Sequence, residues 1–317
     1  MKEQNQVGFE EIRTAITEIL DTTDFTSAQL AREAGLSAAR FSQFLGNTYK
    51  GDNKKVADAL AIWLKNYHAK RDHLPAMPEF VQTPTVLQIW GAFQYAQLAR
   101  CITVIHGNPG VSKTTAVREF VVGRPNVWTI KASKSRASVL ECLFDLALAV
   151  GIDQPICRRG ALSRQILQRL SRTGGLLIID EADVLEYDTL EEIRILQEET
   201  DIGLALIGNH NIYKRMTGNN SRNVDFARLF SRIAKRVVIN QPRKGDIEAV
   251  AKAWGLVDNE RDLIHWLAKQ PGALRITFFV LRLAATFAQA QREPMSEVHI
   301  KAAMKDLGCD AQKGVVA

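Results

Sequence analysis

The chain has 317 residues, of which 46% are hydrophobic and 24% charged, and it carries a formal net charge of +6. This length predicts two or three domains, and the composition is that of a globular protein. The polar, acidic start of the chain and the lack of an apolar run of about eighteen residues argue against a signal peptide and a membrane span. The four cysteines form no C-x-x-C pair, which argues against a zinc site or a disulfide framework. We therefore expect a cytoplasmic protein that does not bind a membrane.

The N-terminal part of the chain has a helical pattern, and we expect an all-α domain of short helices over residues 1–72. Its stretch FTSAQLAREAGLSAARFSQFL has the layout of a helix-turn-helix. Ala31 is small where the two helices would cross, Gly35 permits the tight turn, and Ser37 would cap the second helix. A small helical bundle that binds another protein is the alternative.

In the helix-turn-helix interpretation the recognition helix extends over about residues 37–45. Arg40 and Gln43 would be exposed on this helix and are the candidates for DNA contact. Three prolines interrupt any helix in the segment that follows, so residues 73–84 are predicted to be a linker.

Beyond the linker, short apolar runs alternate with helical patterns. CITVIHG, NVWTIKA, GLLIIDEAD and IGLALIGNH are predicted to be strands, and such alternation predicts an α/β core with a mainly parallel sheet flanked by helices over residues 85–242. Four helical segments follow, and they predict a C-terminal helical lid over residues 243–317.

A phosphate-binding loop is predicted where the first strand meets the first helix of this core. GNPGVSKT matches the pattern G-x-x-x-x-G-K-[ST] except that Ser112 replaces its second glycine. In such a loop the backbone N–H groups bind phosphates, Lys113 reaches the β and γ phosphates, and Thr114 offers its hydroxyl to Mg²⁺. The residues expected to bind the nucleotide here are Gly107, Asn108, Pro109, Gly110, Val111, Ser112, Lys113, Thr114 and Thr115.

Ser112 is the departure from the pattern. Glycine is required only where φ is positive or where another backbone comes too close for a β-carbon. We expect Ser112 to lie in the first turn of the helix with helical dihedral angles, where any small residue is tolerated. The site is therefore predicted to function, with an altered nucleotide affinity.

Polar side chains follow two of the predicted buried strands. Asp180 and Glu181 come directly after the strand at 176–179, and Asn209 follows the next one. In a parallel sheet these strand ends meet at the crevice that holds the ligand. Asp180 would hold Mg²⁺ together with Thr114, Glu181 would activate the attacking water, and Asn209 would position that water.

Hydrolysis of a phosphate also needs positive charge at the transferred group, and a neighbouring subunit can supply an arginine for this purpose. Arg232 is our candidate, with Arg228 in reserve. Arg275, in the lid, would contact the phosphates from the other side and report their loss as a lid movement. A plain surface salt bridge is the alternative for each of these arginines.

Two basic stretches point to an anionic partner. Residues 154–173 contain five arginines and no acid, and residues 214–236 contain seven basic residues and one aspartate. Solvated helix faces are the alternative, but a phosphate loop and a helix-turn-helix in the same chain favour DNA binding.

Taken in order, GNPGVSKT, LLIIDEAD, LIGNH, FARLFSRIAKR and GALRI resemble the Walker A, Walker B, sensor 1, arginine-finger and sensor 2 elements of AAA+ ATPases. Together with the helix-turn-helix and several linking segments, they resemble the B transposition proteins of Mu-like phages over about residues 12–307.

The resemblance implies an ATP- and Mg²⁺-dependent ATPase in the cytoplasm of the host bacterium. It implies that the protein binds double-stranded DNA without sequence specificity and assembles on it as a helical homo-oligomer, with the arginine finger acting in trans. The protein would deliver target DNA to a transposase, stimulate that enzyme and contribute to target immunity. The residues expected along the DNA are Arg158 and Arg159, with Lys131, Lys134 and Arg136 as further candidates.

Two other functions stay open. One is a DNA-binding adaptor with an impaired nucleotide site, and the other is an ATPase of the helicase-loader type. An inactive loop beside the intact set Asp180, Glu181, Asn209 and Arg232 would be unexpected, so the sequence favours the active ATPase.

Overall fold

The structure is a computed structural model of the full chain. The residues that it describes are 2–23, 25–73, 78, 80–212 and 232–309. The chain divides into two compact units, one formed by Met1–Met77 with Ala285–Pro294 and the other by Pro78–Ala284 with Met295–Ala317.

The N-terminal unit is all-α, as predicted. Its helices are α1 (Lys2–Thr22), α2 (Ser27–Glu33), α3 (Ala38–Leu45) and α4 (Asn53–His73). The expectation of short helices is correct for α2 and α3 but wrong for α1 and α4, which have 21 residues each. Ile16, Leu30, Phe41, Phe44 and Leu60 from all four helices form one buried apolar cluster.

The short helices α2 and α3 have the local structure of a helix-turn-helix. Thr26 and Gln29 form a capping box at the start of α2, and Ala31 is 1% exposed. Gly35 adopts a φ of +71° in the turn, and the Ser37 side chain accepts a hydrogen bond from the Arg40 backbone N–H. The predicted turn, cap and second helix are therefore confirmed, and the role of this helix in DNA recognition stays a prediction.

The second unit contains a five-stranded parallel sheet in the order β2-β3-β4-β1-β5. The strands are β1 (Ile102–Gly107), β2 (Val127–Lys131), β3 (Leu176–Asp180), β4 (Gly203–Gly208) and β5 (Ile233–Ile239). Successive residues of the central strands face opposite sides, so that Leu177 packs into one apolar cluster and Ile178 into the other. Burial on both faces explains why these strands are continuous apolar runs.

Helices cover both faces of the sheet. They are α5 (Pro84–Ala99), α6 (Lys113–Val121), α7 (Val139–Ala149), α8 (Arg159–Leu170) and α9 (Tyr187–Thr200). Two single 3₁₀ turns add Lys134–Arg136 and Ala182–Val184. The α/β fold class is thus confirmed. Helix α5 was not expected, because Pro84 suggested an interruption; instead this proline begins the helix, and the Thr83 side chain accepts a hydrogen bond from the Val86 N–H.

The four helices predicted after the sheet are present. They are α10 (Lys244–Ala253), α11 (Asp258–Leu267), α12 (Ala273–Gln291) and α13 (Glu297–Asp306). Asp246 at the start of α10 is fully buried and accepts hydrogen bonds from the Thr85 N–H (2.7 Å) and hydroxyl (2.6 Å), which ties α10 to α5.

One helix in the described part of the chain, α12, is long and apolar enough to span a membrane by length and composition alone. An 18-residue stretch of this helix has a mean hydropathy of 1.3, and 44% of the stretch is buried inside the protein. Core helices of soluble proteins have the same length and apolar composition, so α12 is weak evidence for a membrane span.

Candidate nucleotide-binding site

The phosphate loop connects β1 to α6 and is held in place by the backbone around it. A β-carbon on Gly107 would lie 1.7 Å from the Ile239 carbonyl oxygen, and one on Gly110 would lie 1.9 Å from the Gly272 carbonyl oxygen. Asn108 donates its backbone N–H to the Ile239 oxygen (3.1 Å) and its side-chain amide to the Asn240 oxygen (2.7 Å). The end of β5 and the turn before α12 therefore shape this loop.

Ser112 immediately precedes α6 and has φ +65° and ψ +17°. The expectation of helical dihedral angles at this residue is wrong, because it lies in the left-handed region that favours glycine. The loop reverses direction here before the helix begins, and the serine adopts the conformation that the missing glycine would take without strain.

Lys113 is the first residue of α6, and its ammonium group lies over the loop. Nζ donates to the carbonyl oxygens of Gly107 (2.9 Å) and Asn108 (2.7 Å). Burial lowers the pKa of Lys113, and the nearby carboxylates of Asp180 and Glu181 act in the opposite direction. The ammonium group is thus placed where an anionic group bound by the loop would meet it.

Thr114 and Asp180 meet across the site, as predicted. The Thr114 hydroxyl donates to Asp180 Oδ2 (2.8 Å), and Asp180 Oδ1 accepts the Glu181 N–H (3.0 Å). Asp180 is buried at the end of β3. A hydroxyl and a carboxylate oxygen are the hard donors that Mg²⁺ prefers, and Mg²⁺ needs only one or two protein ligands beside phosphate oxygens. These residues therefore fit a magnesium ion.

Asn209 follows β4 and is held by a residue that the sequence did not single out. Asp183 Oδ1 accepts the Asn209 backbone N–H (3.1 Å), and Asp183 Oδ2 accepts the Asn209 side-chain amide (2.6 Å). The Asn209 side-chain oxygen accepts the N–H of Asn211 (2.7 Å). The amide is thus fixed in one orientation.

These residues surround a cavity of about 400 Å³. The predicted residues that line it are Gly107, Pro109, Gly110, Ser112, Lys113, Thr114, Thr115, Asp180, Glu181, Asn209 and Arg275. Asn108 binds the end of β5 instead, and Val111 is buried in the core beneath the loop. Phe80, Val81 and Phe278 line the cavity as well, together with Arg118 and Arg282. Its chemistry suits a ligand with an apolar ring and several anionic groups.

A chain of hydrogen bonds lies directly beneath the loop. Arg236 Nε donates to His106 Nε2 (2.8 Å), and His106 Nδ1 is 3.2 Å from His210 Nδ1. Since arginine can only donate, His106 Nε2 must be the acceptor and the His106 proton must lie on Nδ1. Burial, Arg236 and His210 lower the pKa of His106 to about 4. No local sequence pattern predicts this cluster, which joins β1, β5 and the segment that follows β4.

The predicted arginine finger lies apart from the cavity of its own chain. The Arg232 side chain is 61% exposed, and its Nε is 3.2 Å from Glu198 Oε1 on α9. Its role in a neighbouring subunit stays a prediction. The reserve candidate Arg228, like Lys214, Arg215 and Arg222 of the same basic stretch, lies outside the described residues.

The predicted DNA-binding residues of the second unit are exposed. Arg158 immediately precedes α8 and Arg159 begins it, Lys131 ends β2, and Lys134 lies in the 3₁₀ turn after it. Arg136, in the same turn, pairs with Asp145 at 2.7 Å. In the N-terminal unit, Arg40 and Gln43 are exposed on α3.

The parallel sheet, phosphate loop, strand-end carboxylate and following amide define a nucleotide-binding domain of the P-loop class. Residues 97–216 match the family described as AAA domain, and residues 231–307 match the family described as Mu B transposition protein, C terminal. The chain belongs to the family of Mu B transposition proteins, because it is similar to members of that family over almost its full length.

The relatives that show this come from phages and a prophage. The chain is 46% identical over 305 residues to the ATP-dependent target DNA activator B of Escherichia phage D108 and to that of Escherichia phage Mu, covering 96% of this chain and 97% of each relative. It is 43% identical over 259 residues to the Mu-like prophage FluMu DNA transposition protein B of Haemophilus influenzae, covering 81% and 90%. A solved Walker-type ATPase of Pyrococcus abyssi is 12% identical, with a TM-score of 0.47 over 71% of this chain and 74% of that one.

Proposed function

We propose that this protein is an ATP-dependent, DNA-binding ATPase that prepares target DNA for a transposase. The observation that carries the proposal is the meeting of Lys113, the Thr114–Asp180 pair and Asn209 around one cavity. It is supported by 46% identity over 96% of the chain to proteins named ATP-dependent target DNA activator B.

In this proposal the loop N–H groups bind the β and γ phosphates of ATP, and Lys113 exchanges the carbonyl oxygens of Gly107 and Asn108 for phosphate oxygens. Thr114 and Asp180 would hold Mg²⁺, which would supply positive charge to stabilise the transferred phosphoryl group. Glu181 lines the cavity and accepts a proton from the attacking water, while Asn209 fixes the position of the reacting groups.

We further propose that ATP drives assembly of a helical homo-oligomer on double-stranded DNA. Arg232 of one subunit would then leave Glu198 and act at the nucleotide of its neighbour. Arg158 and Arg159, aided by Lys131, Lys134 and Arg136, would follow the DNA phosphates without reading sequence. Arg40 and Gln43 would contact DNA from the N-terminal domain.

The biological role follows the same proposal. The assembly would deliver target DNA to the transposase and stimulate it in the cytoplasm of the host bacterium. Hydrolysis near bound transposase would release DNA and so give target immunity, with Arg275 coupling loss of phosphate to the lid. We propose the domains as 1–72, 85–242 and 243–317, with a linker at 73–84.

ATP hydrolysis by the purified protein tests this proposal, measured with and without duplex DNA for the wild type, Lys113→Ala and Glu181→Gln. We expect Glu181→Gln to lower kcat about 10²- to 10⁴-fold while ATP still binds, because a general base is lost. Lys113→Ala should weaken binding and turnover together. Lys269→Ala, at an exposed lid position, is the control. Wild-type turnover no higher than that of the two site variants would refute the ATPase.

The left-handed backbone at Ser112 supports a second candidate, a DNA-binding adaptor with an impaired nucleotide site. Duplex binding without ATP turnover would favour it. Turnover without stimulation of transposase strand transfer would instead favour an ATPase of the helicase-loader type.

A further inference from the structure

Asp183 is not among the site residues predicted from the sequence, but its carboxylate accepts two hydrogen bonds from Asn209, which is one of them. It belongs to the 3₁₀ turn Ala182–Val184, which begins directly after Glu181, a residue with φ +55°. This reversal after β3 directs the Asp183 side chain towards the end of β4. A β-carbon on Gly208 would lie 2.5 Å from Asp183 Oδ1, so glycine at this position lets the carboxylate approach the strand end.

The contacts of Asp183 decide which way the Asn209 amide points. A carboxylate accepts hydrogen bonds and cannot donate them, so the atom of Asn209 at 2.6 Å must be its nitrogen. The amide oxygen is directed to the Asn211 N–H on the other side. One hydrogen of the amide nitrogen is used by Asp183, and the second can meet an acceptor in the cavity that Asn209 lines.

We infer that Asp183 is a positioning residue that presents Asn209 to the nucleotide as a hydrogen-bond donor, aimed at an oxygen of the terminal phosphate or of the attacking water. The inference deepens the proposed function and rests on it for the identity of the ligand. It assigns Asn209 a direction as well as a place: the amide supplies N–H to the reacting oxygens, and its carbonyl oxygen faces away from them.

Replacement of Asp183 by asparagine probes this inference because it keeps the shape and changes the polarity. The side chain of the Asp183→Asn variant would have one acceptor and one NH₂ group where the wild type has two acceptors. Its oxygen satisfies one of the two donors of Asn209, and its NH₂ group then faces the Asn209 amide nitrogen, donor against donor. The Asn209 amide relieves this contact by turning its oxygen towards the new NH₂ group, at the loss of the hydrogen bond from the Asn211 N–H. The cavity would then meet an acceptor in place of a donor, which repels phosphate oxygens.

The first readout is nucleotide discrimination, measured as the ratio of dissociation constants for ADP and ATPγS. We expect Asp183→Asn to reduce this ratio about tenfold, with little change in the affinity for ADP, which lacks the terminal phosphate. Asn209→Ala should cause the same reduction, and the double variant should be no worse than either single variant, since the two residues act as one unit. Asp153→Asn, in an exposed loop, is the charge-matched control.

The second readout is turnover, in which we expect Asp183→Asn to lower kcat about 10- to 100-fold and to raise KM for ATP by no more than about tenfold, in line with the weaker binding of ATPγS. Thermal unfolding of each variant separates positioning from a structural role. Parallel losses of melting temperature and of ADP affinity in Asp183→Asn would show that the residue only supports the fold, and multiplicative losses in the double variant would show that it does not act through Asn209. Either result overturns the inference.

The proposed function and this inference can fail separately. A wild type without ATP turnover refutes the ATPase, and the discrimination ratio still decides the role of Asp183. A wild type with turnover, in which Asp183→Asn retains both kcat and discrimination, refutes the inference alone.

Discussion

Replacement of Ser112 by glycine should stabilise the protein. The left-handed conformation of a residue with a β-carbon costs about 1–2 kcal/mol relative to the right-handed one, and Ser112 adopts it with φ +65° and ψ +17°. Glycine removes that strain but gives the unfolded chain more freedom, which opposes folding by about 0.4–1 kcal/mol. The difference predicts a net gain of about 0.5–1 kcal/mol in the free energy of unfolding.

Calorimetric unfolding of the full chain measures this gain, which corresponds to an increase of about 1–4 °C in melting temperature. Ser112→Ala is the matched control, because it removes the hydroxyl but retains the β-carbon at positive φ. It should not raise the melting temperature. If the glycine variant is no more stable than the alanine variant, the β-carbon of Ser112 does not strain the backbone, and the reasoning is refuted.

The same pair of variants bears on nucleotide binding. If the free loop visits other conformations to relieve the strain, glycine should tighten nucleotide binding by at most about fivefold, the equivalent of about 1 kcal/mol. Turnover should change by a similar factor. Hydrolysis that is present in Ser112→Gly and absent in the wild type would contradict the active site proposed above and favour the adaptor.

Three further predictions concern pH, salt and the lid. The pKa of His106 is lowered to about 4 from its usual 6.5, so below pH 6.5 the unfolded chain binds a proton that the folded chain does not; stability should fall towards pH 4 with a slope of at most about 1.4 kcal/mol per pH unit, and urea unfolding should show a smaller slope in His106→Gln. Combined Arg158→Ala and Arg159→Ala should weaken duplex binding equally for all sequences and reduce the slope of log affinity against log salt by about 1–2, as measured by fluorescence anisotropy, whereas sequence-dependent losses would contradict phosphate contact. Asp246→Ala should lower the free energy of unfolding by about 2–3 kcal/mol, because two buried donors of one threonine lose their acceptor; a change below about 0.5 kcal/mol would refute this account.

The sequence predicted most of the sheet, because a strand buried on both faces must be apolar throughout, as at 176–179 and 203–207. It did not predict β5, an edge strand in which Lys235 and Arg236 are exposed and break the apolar run. Helix α5 was not predicted, because proline interrupts a helix interior. Proline is also common at the first helical position, which is where Pro84 lies. Local patterns therefore fail where a strand is half-exposed or a residue has two opposite uses.

In the candidate site, too, sequence patterns predicted some contacts and missed those between distant segments. Motif spacing was enough to predict that Thr114 and Asp180 lie together at one cavity, because the strand ends and loops of a parallel sheet share one edge. The backbone of Ser112 was predicted wrongly, because the path of the loop depends on contacts with Ile239 and Gly272, which are distant in sequence. The contact between Asp183 and Asn209 likewise depends on the packing of two separate segments.

The hydrogen bonds between Asn108 and the end of β5 limit where the chain can be cut to obtain a fragment that still binds nucleotide. Its two family matches end at residue 216 and begin at residue 231, so β5 is assigned to the C-terminal match although it is a strand of the nucleotide-binding sheet. A fragment cut between the two matches would lose the carbonyl oxygens that hold the phosphate loop, and β1 would become an exposed edge prone to pair with other chains. The smallest independent nucleotide-binding piece therefore has to extend through Asn240, well beyond the limit that sequence families suggest.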